Sequence, residues 1–358
     1  MRIIHTADIH IGSAFRGLPP EKAGLRKTEI LDNFRRLCAY ARDNGVTAVL
    51  IAGDLFDENH VPKQVKRQTL AFIGQAKPTM FFCVSGNHDT TGFEGEELPD
   101  NLYIFSQNHG ASCYRLDENI TVTGMDTKYF STQAFDELRF SLQSFNILLL
   151  HGDIQAQGKE YIPLTALQNK GVDYLALGHI HIPDLQAKAL DTRGRYRYAG
   201  CLEGRGFDEV GGRGFFQLEI ANGQIVGEQF FTLSKRIVSH KQVDISACAT
   251  YFDLENAVFT ALQDEKAENM IKVTLFGTFT PDLKKDLSVL SARLNERYFF
   301  VKVDDESRLK IDANDYIADL TERGEFVRET LKYTMDESLR DEILEVGLKA
   351  LGGEEIDI

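Results

Sequence analysis

Apolar residues along the first part of the chain fall into short runs that end abruptly in polar clusters. Ile3–Ala7, Val46–Ala52 and Thr79–Val84 read as buried strands, and the stretches between them carry apolar positions at helical spacing. The first helix is expected over Lys22–Arg42, with Ile30, Phe34, Leu37 and Ala41 on one face and Gly45 as its stop. A second is expected over Val61–Gln75, turning Val65, Leu70, Phe72 and Ile73 inward. Strand–helix alternation of this kind marks a layered α/β domain.

The pattern then becomes richer in β-structure. Residues 101–125 alternate short β-like pieces, among them Ser112–Leu116 and Ile120–Thr123. A helix over Thr132–Leu142 leads to a strand over Asn146–Leu150, and a helix over Leu164–Gln168 precedes a strand over Asp173–Leu177. Arg195–Ala199, Gly214–Ile220 and Ile225–Thr232 read as further strands. The expectation is a two-sheet sandwich with helices outside, occupying residues 1–235. A small α+β domain is expected over 236–311, from the order strand 238–245, helix 251–263, strand 270–276, helix 282–297, strand 299–303. The remainder, 312–358, reads as a helical tail with helices over Asp315–Leu331, interrupted at Gly324, and Glu337–Leu351. In the last of these, Leu339, Ile343, Val346 and Ala350 form an apolar stripe that either packs on the second domain or docks a partner helix.

Composition narrows this picture. With 43% hydrophobic and 26% charged residues over 358 positions, the chain has the make-up of a soluble protein of two or three domains. No apolar run reaches the roughly 18 residues needed to cross a bilayer, and the strand-like start has no signal-peptide character, so a cytoplasmic location without membrane association is expected. Five cysteines stand singly, with no Cys-x-x-Cys pair, so neither a zinc ribbon nor a disulfide framework is indicated. A net charge of −14 argues against a general nucleic-acid coat but leaves room for a local site, because screening confines surface charge to about 10 Å at 0.1 M salt.

The candidate chemistry lies in the polar clusters. Asp8-Ile9-His10, Gly53-Asp54-Leu55-Phe56-Asp57, Gly86-Asn87-His88-Asp89, His151-Gly152-Asp153 and Gly178-His179-Ile180-His181 each follow an apolar run. In α/β sheets such strand ends gather on one edge. Their donors are imidazole, carboxylate and amide oxygen without thiolate, a set that suits Mn²⁺, Fe²⁺, Zn²⁺ or, less well, Mg²⁺. Five of the nine histidines belong to them. Asp54 can bridge two cations through its two oxygens, and His179 and His181 point the same way in an extended segment.

These motifs, in this order, resemble the calcineurin-like metallophosphoesterase superfamily. Thr6-Ala7-Asp8-Ile9-His10-Ile11-Gly12 with Gly53–Asp57 is more narrowly similar to the SbcD-type DNA repair nucleases, and Ala199–Glu209, with its Cys-Leu-Glu-Gly-Arg wording, to a YhaO-like branch. The resemblance implies two metal ions, Mn²⁺ foremost. Asp8, His10, Asp54 and His181 would hold one, and Asp54, Asn87, His151 and His179 the other. It further implies His88 as a general acid oriented by Asp57, DNA as substrate, and an SbcC-like coiled-coil ATPase as partner; a homodimer is compatible with it. Two cations about 3.5–4 Å apart clamp the attacking and leaving oxygens of an in-line displacement at phosphorus and activate a water. The expected function is metal-dependent cleavage of DNA phosphodiesters in repair, as an exonuclease with endonuclease capacity. Its alternatives are a small-molecule phosphodiesterase or phosphatase and a non-catalytic DNA-tethering subunit of an ATPase complex. Arg193, Arg195, Arg197 and Arg205, just past the last motif, are the expected contacts to the DNA backbone.

Overall fold

The apolar runs of the first 238 residues become strands whose two faces pack in opposite directions. The computed structural model describes all residues except 58–60, 90–92, 106–109, 156–157, 281, 311–315, 317 and 353–358, and the side chains of 337 and 338. The chain forms two compact units, Met1–Val238 and Ser239–Ile358. In the first, β1 (Arg2–Thr6), α1 (Pro20–Asp43), β2 (Ala48–Ala52), α2 (Lys63–Gln75), β3 (Met80–Val84) and β4 (Leu102–Ile104) come in order. Next are β5 (Ser112–Arg115), β6 (Ile120–Gly124), α3 (Thr132–Glu137), β7 (Phe145–His151), α4 (Leu164–Leu167) and β8 (Tyr174–Gly178). β9 (Lys188–Ala189), β10 (Arg195–Tyr198), β11 (Gly214–Ala221) and β12 (Gln224–Thr232) complete it.

Two six-stranded sheets result, in the orders β12-β11-β1-β2-β3-β4 and β5-β6-β7-β8-β10-β9. Within them β1, β2, β3 and β4 run parallel, as do β6, β7, β8 and β10. This is the mixed α/β fold with two mixed sheets that the pattern predicts. Side chains alternate between faces along a strand, and here both faces are apolar. Leu50, Phe82, Ile147 and Tyr174 fill the space between the sheets. Val49, Ile51, Phe81 and Cys83 face outward onto Phe34 and Leu37 of α1 and Ile73 of α2. Leu148, Leu150, Leu175 and Leu177 face the other way, onto Phe135 and Leu167 of the short helices. Four layers, helix–sheet–sheet–helix, follow from that double burial.

Register sets the geometry of the edge. Ala52 pairs with Val84, and His151 with Gly178. The loops leaving β2 and β3, and those leaving β7 and β8, therefore start side by side. The segment after β10 is fixed from beneath by buried charges. Glu203 accepts from Arg26 (2.8 Å) and Asn33 of α1 and from the main-chain N–H of Lys235 (2.8 Å). Glu29 pairs with both Arg26 and Arg236. Buried ions add little net stability but impose one arrangement on the parts they join.

The second unit has a three-stranded sheet, β13 (Val238–Asp244), β14 (Met270–Phe276) and β16 (Phe300–Asp305), ordered β13-β14-β16, and a small ribbon of β15 (Thr278–Phe279) with β17 (Arg308–Leu309). Helices α5 (Tyr251–Ala261) and α6 (Leu287–Arg297) share its core with Ile271, Val273 and Leu275. α7 (Glu322–Thr330) and α8 (Glu337–Leu351) follow.

Several boundaries differ from expectation for local reasons. α3 stops at Glu137, where Leu138 turns extended. α6 begins at Leu287 because Asp286 caps it, accepting from Val289 N–H at 3.0 Å. Gly324 lies inside α7 and does not interrupt it, while the start expected at Asp315 lies outside the described residues. The apolar stripe of α8 is also corrected. The helix buries Leu344 and Leu348 against Val327 and Phe326, whereas Leu339 and Val346 are exposed. Gly347 decides this: a Cβ there would run into the Phe326 ring, so only glycine admits the aromatic.

Candidate metal centre

Every predicted donor motif leaves the carboxyl end of a parallel strand. Asp8 and His10 follow β1, Asp54 follows β2, Asn87 and His88 follow β3, His151 ends β7, and His179 and His181 follow β8. Parallel strands place these loops on one edge of both sheets. The chain reverses sharply there. Asp8, His10, Asp54 and His179 all have positive φ, at 49°, 51°, 50° and 106°, four of the seven such non-glycine residues among those described. Backbone in that region costs of order 1–3 kcal/mol per residue and persists where surrounding contacts enforce it. Gly86 permits a close approach: a Cβ there would collide with Asp54 Oδ1.

Two groups of donors converge on Asp8. Asp8, His10 and His181 offer ligand atoms within 4.8 Å of one another, and so do Asp8, Asp54 and His151. A third group, His10, Asp57 and His88, lies toward solvent. Asp54 stands between the first two, with Oδ2 3.7 Å from His10 Nε2 and 3.5 Å from His151 Nε2. Asn87 Oδ1 is 2.9 Å from His151 Nε2. The His179 ring stands edge-on to that of His151, 5.3 Å between centroids, and its main-chain N–H donates to both Asp8 oxygens at 3.0 and 3.1 Å. Asp8, His10 and His151 are fully buried, while Asn87 and His88 face solvent.

Each of the five imidazoles turns Nδ1 toward an oxygen that can only accept. His151 Nδ1 lies 2.9 Å from the Ala52 carbonyl and His88 Nδ1 2.9 Å from the Asp57 carbonyl. His10 Nδ1 is 2.9 Å from Asp57 Oδ1, His181 Nδ1 2.6 Å from Glu209 Oε1, and His179 Nδ1 3.5 Å from Glu160 Oε2. A proton held on Nδ1 by such an oxygen leaves the Nε2 lone pair of a neutral ring free to bind a cation. His10 Nε2 and His181 Nε2 face each other at 3.2 Å. Two lone pairs so placed suit a cation between carboxylates and not a hydrogen bond, so the residues present fit a divalent metal pair.

Ionisation follows from burial and charge. Burial lowers His10 and His179. Burial opposes but does not prevent the rise of His181, which Glu209 and Asp8 bring about, and of His151, which Asp54 and Asp8 bring about. Burial also works against Glu209, yet the bond to His181 and the charge of Arg205 hold it at about 2. Asp89 is pushed up to about 7 by burial and by Asp54. It ties two motifs together, accepting from Leu55 and Gly86 N–H at 2.9 and 2.8 Å.

Three points refine the sequence reading. Asp57 meets His88 through its carbonyl oxygen, while its carboxylate belongs to His10 and Arg205. Three of the four expected DNA-contacting arginines are engaged within the protein. Arg193 clamps Asp173 and the carbonyls of Leu142 and Ser144, Arg195 pairs with Glu228, and Arg197 is buried over the Phe216 ring and also pairs with Glu228. Arg195 lies opposite Tyr174, the first residue of β8, at the far end from His179. Of the four, only Arg205 reaches the centre, with Nη1 3.0 Å from Asp57 Oδ1. Glu160 and Glu209, absent from the expected site, orient two of its rings; no spacing rule links either to the histidine it serves.

Comparison with known proteins places this geometry in context. The profile of the calcineurin-like phosphoesterase family matches residues 1–183. The "uncharacterized metallophosphoesterase YhaO" of Bacillus subtilis (strain 168) is 28% identical over 305 residues, covering 78% of this chain and 72% of its own. The DNA double-strand break repair protein Mre11 of Sulfolobus acidocaldarius is 28% identical over 198 residues, and the match spans 51% of this chain and 50% of that one. A subunit of the nuclease SbcCD from Staphylococcus epidermidis is 24% identical, over 65% of this chain and 70% of its own. A crystal structure of a dimetal phosphatase from Danio rerio aligns with 62% of this chain and 93% of its own, at 12% identity and a TM-score of 0.45. The chain thus spans about half the length of the Sulfolobus relative it matches.

Proposed function

The chain belongs to the calcineurin-like phosphoesterase family, and from that premise we propose that it cleaves phosphodiester bonds of DNA, as an exonuclease with endonuclease capacity acting in repair. One observation carries the reading: two converging donor groups flank Asp54, and beside them His88 stands exposed at the rim with Nδ1 bound to a carbonyl. The nuclease and repair names of the SbcCD and Mre11 relatives support DNA as the substrate.

Asp8, His10, Asp54 and His181 would hold one divalent ion, and Asp54, Asn87, His151 and His179 the other; the nitrogen-and-oxygen donor set suits Mn²⁺, Fe²⁺, Zn²⁺ or, less well, Mg²⁺, and the family resemblance puts Mn²⁺ first. When bound, such a pair supplies Lewis acidity to both oxygens that exchange at phosphorus. The side chains do the rest. Asp54 holds the two groups in one frame and accepts the His88 main-chain N–H at 2.9 Å, which fixes where that residue stands. In its imidazolium form, with Nδ1–H donated to Asp57 O, His88 would present a second proton outward on Nε2 and pass it to the departing 3′ or 5′ oxygen, becoming the neutral Nδ1–H ring.

The decisive assay takes the full chain with Mn²⁺ against single- and double-stranded DNA and a bis-phosphate ester dye. Cleavage of DNA is the expected result. Turnover of the dye without DNA favours a small-molecule phosphodiesterase, and turnover of neither favours a tethering subunit.

The partner in this reading is an SbcC-like coiled-coil ATPase, and the compartment is the cytoplasm; no helix among the described residues is long and apolar enough to cross a membrane. Leu339 and Val346, exposed on α8, offer that ATPase an apolar helical face. Truncation after Lys332 is expected to abolish binding to the ATPase in a pull-down while dye hydrolysis continues. Unchanged binding would remove α8 from the interface.

A further inference from the structure

Among the described residues, Arg205 is the one charged side chain that joins the two carboxylates orienting His10 and His181. Its Nη1 donates to Asp57 Oδ1 at 3.0 Å, and Asp57 Oδ1 is itself 2.9 Å from His10 Nδ1. Its Nη2 lies 3.4 Å from Glu209 Oε1, and that oxygen is 2.6 Å from His181 Nδ1. The same Nη2 rests against the His181 ring, 3.0 and 3.4 Å from its two nitrogens. Its main-chain N–H donates to the other oxygen of Glu209 at 2.6 Å, so residue 205 grips that carboxylate twice.

The loop that carries Arg205 is itself immobilised. Glu203, two residues earlier, is buried among Arg26, Asn33 and the main chain of Lys235, and Arg26 also donates to the carbonyl of Gly204 at 2.5 Å. A fork held from behind in this way can transmit its position to both rings. Among the described residues, the second donor group has one orienting carboxylate, Glu160 beside His179, and no guanidinium bridge to it is seen. His151 is oriented by the main-chain carbonyl of Ala52, with Asn87 Oδ1 2.9 Å from its Nε2, and His179 Nδ1 lies 3.5 Å from Glu160 Oε2.

We propose that Arg205 is a positioning residue for one of the two cation positions only, locking His10 and His181 through Asp57 and Glu209 and leaving the Asn87–His151 position untouched. The inference rests on the two-metal reading given above. Partners that orient a ligating histidine typically govern 10–100-fold in metal affinity. The planar guanidinium fork spans two carboxylates, which a lysine ammonium cannot do with the same geometry.

The test is a Mn²⁺ titration of the full-length chain, with free ion followed by electron paramagnetic resonance. The wild type is expected to bind two ions. Arg205→Gln is expected to weaken one of them 10–100-fold and leave the other within about twofold. Arg205→Lys should fall between the two, and Arg195→Gln, at the far end of β10, should match the wild type. Thermal melts of each variant accompany the titration. Two unchanged sites in Arg205→Gln would overturn the proposal, and so would equal weakening of both sites, with or without a lowered melting temperature. A wild type that binds fewer than two ions would overturn the two-metal reading itself, and the inference with it; that failure is seen before any variant is made.

Discussion

Asp54→Asn is expected to abolish hydrolysis and to cost the protein at least one of the two divalent ions proposed for it. Asp54 Oδ2 stands between the donor groups, 3.7 Å from His10 Nε2 and 3.5 Å from His151 Nε2, while Oδ1 accepts the His88 main-chain N–H. Asparagine is isosteric and would keep an oxygen for one of these tasks. It would lose the negative charge and put an NH₂ group where a second acceptor is needed. That amide hydrogen would then face an imidazole lone pair or a cation. Metal ions supply several kcal/mol of transition-state stabilisation, and each 1.4 kcal/mol is tenfold, so a loss of at least about 10³-fold in kcat is expected. Metal content by elemental analysis and turnover of a phosphodiester dye read the two effects separately. Two ions per chain with most of the activity left would show that Asp54 does not bridge.

His88→Ala is expected to do the opposite: keep both ions and lose turnover. The ring lies outside the two converging groups that Asp8 shares, is exposed, and has its Nδ1 committed to the Asp57 carbonyl. Truncation therefore removes a proton donor without removing a ligand. General acids contribute about 10²–10⁴-fold, so kcat on DNA should fall by that much. A substrate with a good leaving group, such as a nitrophenyl ester, needs no protonation of the departing oxygen and should be affected less. A loss below tenfold on DNA, or an equal loss on both substrates, would take the general-acid role away from His88.

The amino-acid sequence alone determined the architecture of the first unit and which donor motifs share one edge of it. Parallel strands in a layered sheet put their carboxyl-end loops on one edge, so polar clusters after apolar runs had to meet. That is why the motifs that carry Asp8, His10, Asp54, Asn87, His151, His179 and His181 could be grouped from the sequence, while the choice of these seven as ligands is what the family resemblance implies. Side-chain alternation likewise tells that Arg195 and Arg197 share a face of β10. It does not tell that this face meets Glu228 and the Phe216 ring. In α8 the period of apolar residues allows two stripes, and the notch at Gly347 that receives Phe326 selects between them.

Which nitrogen each histidine offers was settled by tertiary structure. The acceptors that hold Nδ1 come from other strands or loops: Ala52 for His151, Glu160 for His179, Asp57 for His10 and Glu209 for His181. Arg205 gains its place in the same way, through a loop pinned by Glu203 to α1. Donor type and strand order are local properties that a pattern of residues can carry. The orientation of a ring depends on an oxygen 19 to 99 positions away, and only the packed sheets bring it within 2.6 to 3.5 Å.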